Sequence, residues 1–83
     1  MKLTKEQQAT IERGYAMVYV TSSGAEYYIE HVLDCFGLPS VSYLGKVYVF
    51  DADGDMVDPS GVLNPFESLG AAKSYLESVG VRQ

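Results

Sequence analysis

Eighty-three residues, 47% hydrophobic and 20% charged, describe a single small domain over 1–83 and exclude an intrinsically disordered chain. One cysteine, Cys35, excludes an internal disulfide, and no signal segment or apolar run of about 20 residues is seen, so the expectation is a cytoplasmic protein (host cytoplasm for a phage-encoded chain) with no membrane association. The net charge is −5, and between Gly14 and Ala72 eight acids accompany a single base, Lys46, a balance that opposes direct nucleic-acid binding and favours basic partners.

The opening LTKEQQATIERG predicts a weak N-terminal helix or arm within 1–13, with Thr4 as N-cap, Gln7 completing a capping box and Gly14 as the stop. YAMVYVT reads as a strand with Ala16, Val18 and Val20 on one face and Tyr15, Met17 and Tyr19 on the other. SSGAEYYIEHVLDCFG predicts the clearest helix. Ala25, Tyr28, Ile29, Val32, Leu33 and Phe36 fall at helical spacing, Ser22 or Ser23 caps, and Gly37 and Pro39 close it. On its wet side Glu26, Glu30 and Asp34 make an acidic ridge.

VSYLGKVYVFD predicts a hairpin turning at Gly45-Lys46, with Tyr43 opposite Tyr48. In that register Tyr43, Tyr48, Phe50 and Val57 share one face, and Leu44, Val47, Val49 and Met56 the other. DADGDMVD supplies a two-residue turn at Asp53-Gly54 with a return along Met56-Val57, and DPSG closes the meander. NPFESLGAAKSYLESVGV predicts a final helix. Asn64 caps it, Pro65 opens it and Glu67 completes a box; Gly80 ends it with Val81 folded back on Leu76. Gly70 inside that helix reads as a close approach to the sheet. The expected fold is α+β and two-layered: a four-stranded, mostly antiparallel sheet with two helices on one face, in the order (α)-β-α-β-β-β-α. Two helices cover one side only, so the other awaits the N-terminal helix or a second molecule.

RGYAMVYV resembles the strand octapeptide of the RNA-recognition-motif family at Arg13, Gly14, Tyr15, Ala16 and Val18. It departs at Met17 and Val20, where that family has aromatic residues for base stacking. The family also carries the octapeptide on its third strand, whereas twelve residues precede Arg13 here, so the stretch reads as a core strand. DADGDMVD has acids at positions 1, 3 and 5 of a calcium loop, but Met56 and Val62 stand where Gly and Glu are needed, so it reads as a solvated turn. His31 and Cys35, four apart, lack the third group that orients the base of a nucleophilic pair. No phosphate loop and no metal set is present in the sequence, so no catalytic, cofactor or metal residue is assigned.

Seven tyrosines are the remaining signal, because Tyr is enriched at protein interfaces. The functional expectation is a small, acidic, non-enzymatic protein-binding domain without cofactors. It would act as an inhibitor or nucleic-acid mimic, of the kind phages deploy against host defences, on a basic, nucleic-acid-handling protein. Its contacts would be Glu26, Tyr27, Glu30, Asp34, Asp51, Asp53, Asp55 and Asp58, and a homodimer or partner face would use Tyr15, Met17, Tyr19, Tyr43, Tyr48 and Phe50. The alternative is a small dimeric α+β ligand-binding module or enzyme with a pocket between sheet and helices near His31, Cys35 or the tyrosines.

Overall fold

The structure, a computed structural model, describes residues 2–59, 61 and 64–81. Its elements are α1 (Lys5–Glu12), β1 (Ala16–Val20), β2 (Glu26–His31), a 3-10 turn (Val41–Tyr43), β3 (Val47–Asp51) and α2 (Leu69–Val81). The strands form one antiparallel meander, β1-β2-β3. The sheet is therefore three-stranded, not four-stranded, and the order is α-β-β-(3-10)-β-α. No helix among the described residues is long and apolar enough to cross a membrane.

The largest correction concerns 22–36, expected as a helix. Glu26–His31 is the central strand, paired with β1 (Tyr28 opposite Val18) and with β3 (Tyr28 opposite Phe50). The cause lies in its two faces. Tyr27 and Ile29 point to the side covered by α2, while Tyr28 points to the side covered by α1. A strand covered on both faces is apolar on both, and such a run coincides with a helical stripe. The serines expected to cap a helix serve the hairpin instead: Ser23 Oγ meets Thr21 Oγ1 at 2.9 Å, and Ser22 N donates to Glu77 Oε1 at 3.0 Å.

The two helices thus lie on opposite faces, which replaces the expected arrangement on one. On the α2 side, Ile29, Val47, Val49, Ala72 and Leu76 form the buried core, with Met17, Tyr19, Tyr27, Val57, Phe66, Leu69 and Tyr75 packed around it. Each fully buried Ile, Val or Leu side chain there is worth about 1.5–3 kcal/mol of transfer free energy. On the α1 side, Tyr28 is 1% exposed. Its ring sits 6.3 Å from that of Phe50 and its hydroxyl donates to the Gln7 carbonyl at 3.4 Å. α1 forms as expected: Thr4 Oγ1 accepts from Gln7 N and Gln7 Oε1 accepts from Thr4 N.

Three turns share one construction. In Thr21–Ala25, Asp34–Leu38 and Asp51–Asp55 the first residue's N–H donates to the fifth carbonyl (2.9, 2.7 and 2.9 Å). Its side-chain oxygen accepts from the fifth N–H (3.1, 3.1 and 3.0 Å). The fourth residue is glycine at φ +93°, +77° and +90°. This is the three-residue hairpin loop that ends in a left-handed residue, written here as Thr/Asp-x-x-Gly. The third copy opens one residue wider than the expected Asp53-Gly54 turn. One residue of register exchanges faces, so Met56 shares the Phe50 side and Val57 joins the core with Val49, the reverse of the expected assignment.

The return beyond that turn is a single bridge, Phe50 to Met56, not a strand. The Gly45-Lys46 hairpin is likewise absent. Val41–Tyr43 is a 3-10 turn, and Tyr48 stands opposite Glu30, not Tyr43. α2 begins at Leu69, five residues after Asn64, because Phe66 exchanges two hydrogen bonds with Val47 (2.8 and 3.2 Å) along the outer edge of β3. Ser68 Oγ, not Asn64, caps the helix by accepting from Ala71 N at 3.1 Å. Gly70 makes no close approach to the sheet: a Cβ there would meet only Ser68 Oγ, at 3.9 Å. α2 runs through Gly80 to Val81, so Gly80 does not end it; the contact expected of the Val81 side chain lies outside the described residues.

Candidate functional site

Antiparallel strands sort the charges to two ends of the sheet. At one end lie the 21–25 hairpin and the 51–55 turn, which bring Glu26, Asp51, Asp53 and Asp55 together with Tyr27, the cross-strand neighbour of Asp51. Asp51 is held inward: its Oδ1 accepts from Asp53 N (2.9 Å) and Asp55 N (3.0 Å). Asp53 and Asp55 are exposed on the outside of the turn. Asp58 lies farther along the return, half-buried, where its carbonyl accepts from Gly61 N at 3.2 Å. Among the described residues no three His, Cys, Asp or Glu side chains converge as a metal site.

Glu77 of α2 belongs to the same end, and the sequence reading did not single it out. It accepts from Ser22 N and from the Tyr19 hydroxyl. These bonds favour the carboxylate: the Tyr19 contact first, then Ser22, hold Glu77 below its ordinary pKa, and the same contact raises Tyr19 above its own. Lys73 Nζ sits 5.4 Å from the Tyr19 ring centroid. A helical residue fifty-five positions from Ser22 has no local pattern that could reveal such a role.

The ridge expected from Glu26, Glu30 and Asp34 is not formed. Glu30 is half-buried on the α1 side, where burial pushes its carboxyl up and the Tyr28 hydroxyl partly offsets the rise. Asp34 caps its own turn at the opposite end of the sheet, with Oδ1 accepting from Phe36 N at 2.8 Å. The aromatic set is divided too. Met17 and Tyr19 pack against the α2-side core, Tyr48 and Phe50 lie on the α1 side, and Tyr15 and Tyr43 line a cavity at the far end.

That far end carries Lys46 and Arg13. The cavity, about 380 Å³ and open to solvent, is bounded by Tyr15, His31, Val32, Tyr43, Leu44 and Lys46 among others. Lys46 Nζ lies 5.8 Å from the Tyr43 ring centroid and 3.5 Å from Glu67. Arg13 Nη1 lies 3.7 Å from where a Cβ on Gly37 would be. Along the adjoining segment Phe36 (83%), Val41 (91%) and Leu44 (76%) are exposed, unusual for large apolar side chains so close in sequence. His31 and Cys35 do not share a helix: His31 ends β2 and Cys35 is exposed in the 34–38 turn. Phe36, expected in a helical stripe, lies instead in the turn that Asp34-x-x-Gly37 specifies. No family model, curated protein or solved structure matches the chain.

Proposed function

We propose that the chain is a small acidic protein-binding domain that engages a basic, nucleic-acid-handling protein through the end of the sheet formed by Glu26, Tyr27, Asp51, Asp53 and Asp55. The observation that supports this reading is the pairing of two rigid turns at that end: one carboxylate, Asp51, is spent holding the loop, and two others, Asp53 and Asp55, are directed to solvent. Preorganised carboxylates steer a basic partner at little ordering cost. The α2 C-terminal half, anchored there by Glu77, adds the negative end of its dipole. The test is quantitative capture from native-host lysate by the immobilised chain and by Asp53→Asn/Asp55→Asn, at low and high salt. The captured proteins should be basic, and their yield should fall with both the substitution and the salt, since the screening length drops from about 10 Å at 0.1 M to about 3 Å at 1 M. Equal capture by both proteins at both salts would sink the reading.

Self-association, expected from the sequence through a sheet face, has a better candidate in the β1 edge. The Tyr15 carbonyl accepts from His31 N of β2 and Thr21 N donates to the Ala25 carbonyl just before it, so in an antiparallel ladder the intervening Ala16, Val18 and Val20 direct N–H and C=O away from β2. The edge carries no charge or proline of its own, the usual protections against pairing. Sedimentation of wild type and Val18→Pro checks this: a dimer lost in the variant supports it, and a wild-type monomer at high concentration removes it.

A further inference from the structure

We propose that the cavity at the basic end binds a small organic anion with a planar apolar body and one carboxylate or phosphate group, a site distinct from the acidic end. Its volume of about 380 Å³ lies within the range of about 300–1,000 Å³ typical of small-molecule sites. Its walls divide as such sites do. Tyr15, Val32, Tyr43 and Leu44 offer aromatic and aliphatic surface, while His31 and Lys46 offer polar groups.

Charge complementarity selects the class of ligand. The chain has eleven acids, yet no acidic side chain among the described residues lines this cavity, and the ionisable groups that do are Lys46, His31 and the two tyrosines. The Lys46 ammonium lies 5.8 Å from the centroid of the Tyr43 ring, and both residues line the cavity. Its present partner, Glu67, has a side chain that is 81% exposed. A pair of that kind is weak, and an incoming anion seated between Lys46 and His31 replaces it. Arg13 precedes the lining residues Gly14 and Tyr15, and its guanidinium lies beside Gly37. A second hollow of about 220 Å³ shares Gly14 and His31 with the first, so the imidazole borders both and leaves room for a longer body. Exposed Leu44 gives the rim an apolar surface that a bound ring would cover.

The test is an amide chemical-shift titration of the intact protein with benzoate, indole-3-acetate and phenyl phosphate, alongside the neutral benzamide and indole-3-acetamide. At least one anion should move the amides of Gly14, Tyr15, Val32, Gly45 and Lys46 with a Kd of about 1 mM or tighter. Its neutral counterpart should bind about tenfold more weakly, the loss expected for one charge-assisted contact. Lys46→Met should weaken binding to a similar degree, and Glu67→Gln, which removes the competing carboxylate, should tighten it. Both side chains reach solvent, so both variants keep the fold, which their spectra report directly. The proposal is overturned if none of the three anions moves those amides at about 20 mM, far above the expected Kd. It is equally overturned if the shifts are confined to Phe36 and Val41, or if the neutral compounds and Lys46→Met bind as well as the anions and wild type.

Discussion

Gly24→Ala separates the hairpin from the helix by the sign of its effect. Gly24 stands at φ +93° in the 21–25 turn, and a Cβ placed there meets nothing within 4 Å. Sterics with neighbours therefore contribute nothing, and the cost is that of holding an L-residue in the left-handed region, about 1–2 kcal/mol. Were 22–36 a helix, the same change would stabilise it by up to about 1 kcal/mol. A domain of 83 residues has a total stability of about 4–12 kcal/mol at about 0.05–0.15 kcal/mol per residue. A loss of 1–2 kcal/mol therefore lowers Tm by about 4–16 °C, at about 4–8 °C per kcal/mol for this size. Gly70→Ala is the matched control. Gly70 has an ordinary φ in the exposed first turn of α2, and its added Cβ would meet only Ser68 Oγ at 3.9 Å. It should raise stability by up to about 1 kcal/mol. Thermal and urea unfolding followed by circular dichroism measures both. An unchanged or raised Tm in Gly24→Ala refutes the hairpin and the argument built on it.

Two carboxylates should give opposite pH signatures. Glu77 is held below its ordinary pKa by Tyr19 and Ser22. Its contribution is present above the unfolded value of about 4.5 and is lost as pH falls through the lower folded value. Glu77→Gln should be destabilised at pH 7, and its deficit against wild type should shrink as pH falls below the ordinary glutamate value. Glu30 is raised by burial above 4.5, so it favours the folded state when protonated and lowers stability as pH rises through its folded pKa. Glu30→Gln should be more stable than wild type at neutral pH and equal to it in acid. Urea midpoints across that range decide both, and curves that stay parallel to wild type would contradict the assignments.

Much of the local structure was legible. Thr4 with Gln7 marked the start of α1, YAMVYVT marked β1 with its faces correctly divided, and Val47–Asp51 and Leu69–Val81 follow from strand and helix patterning. The Thr/Asp-x-x-Gly turns were also present as text, because the short oxygen-bearing side chain and the left-handed glycine are local requirements. The acidic end could be read only as a list of carboxylates, since residues 26 and 51 become neighbours through strand pairing alone.

What the tertiary structure decided is the state of residues 22–36 and everything that depends on it. Taken alone, Ala25, Tyr28, Ile29, Val32, Leu33 and Phe36 satisfy a helical stripe, while Tyr28 and Ile29 fit equally a strand buried on both sides. The choice falls to the strand because β1 and β3 each present a backbone ladder to it, α1 and α2 cover its two faces, and Glu77 accepts from the Ser22 amide in the hairpin. None of those partners lies within the segment. Composition and spacing thus determined which residues are apolar and how acidic the middle of the chain is. Long-range pairing determined which acids share an end, which tyrosines share a face, and that Tyr15, His31, Tyr43 and Lys46 surround one cavity.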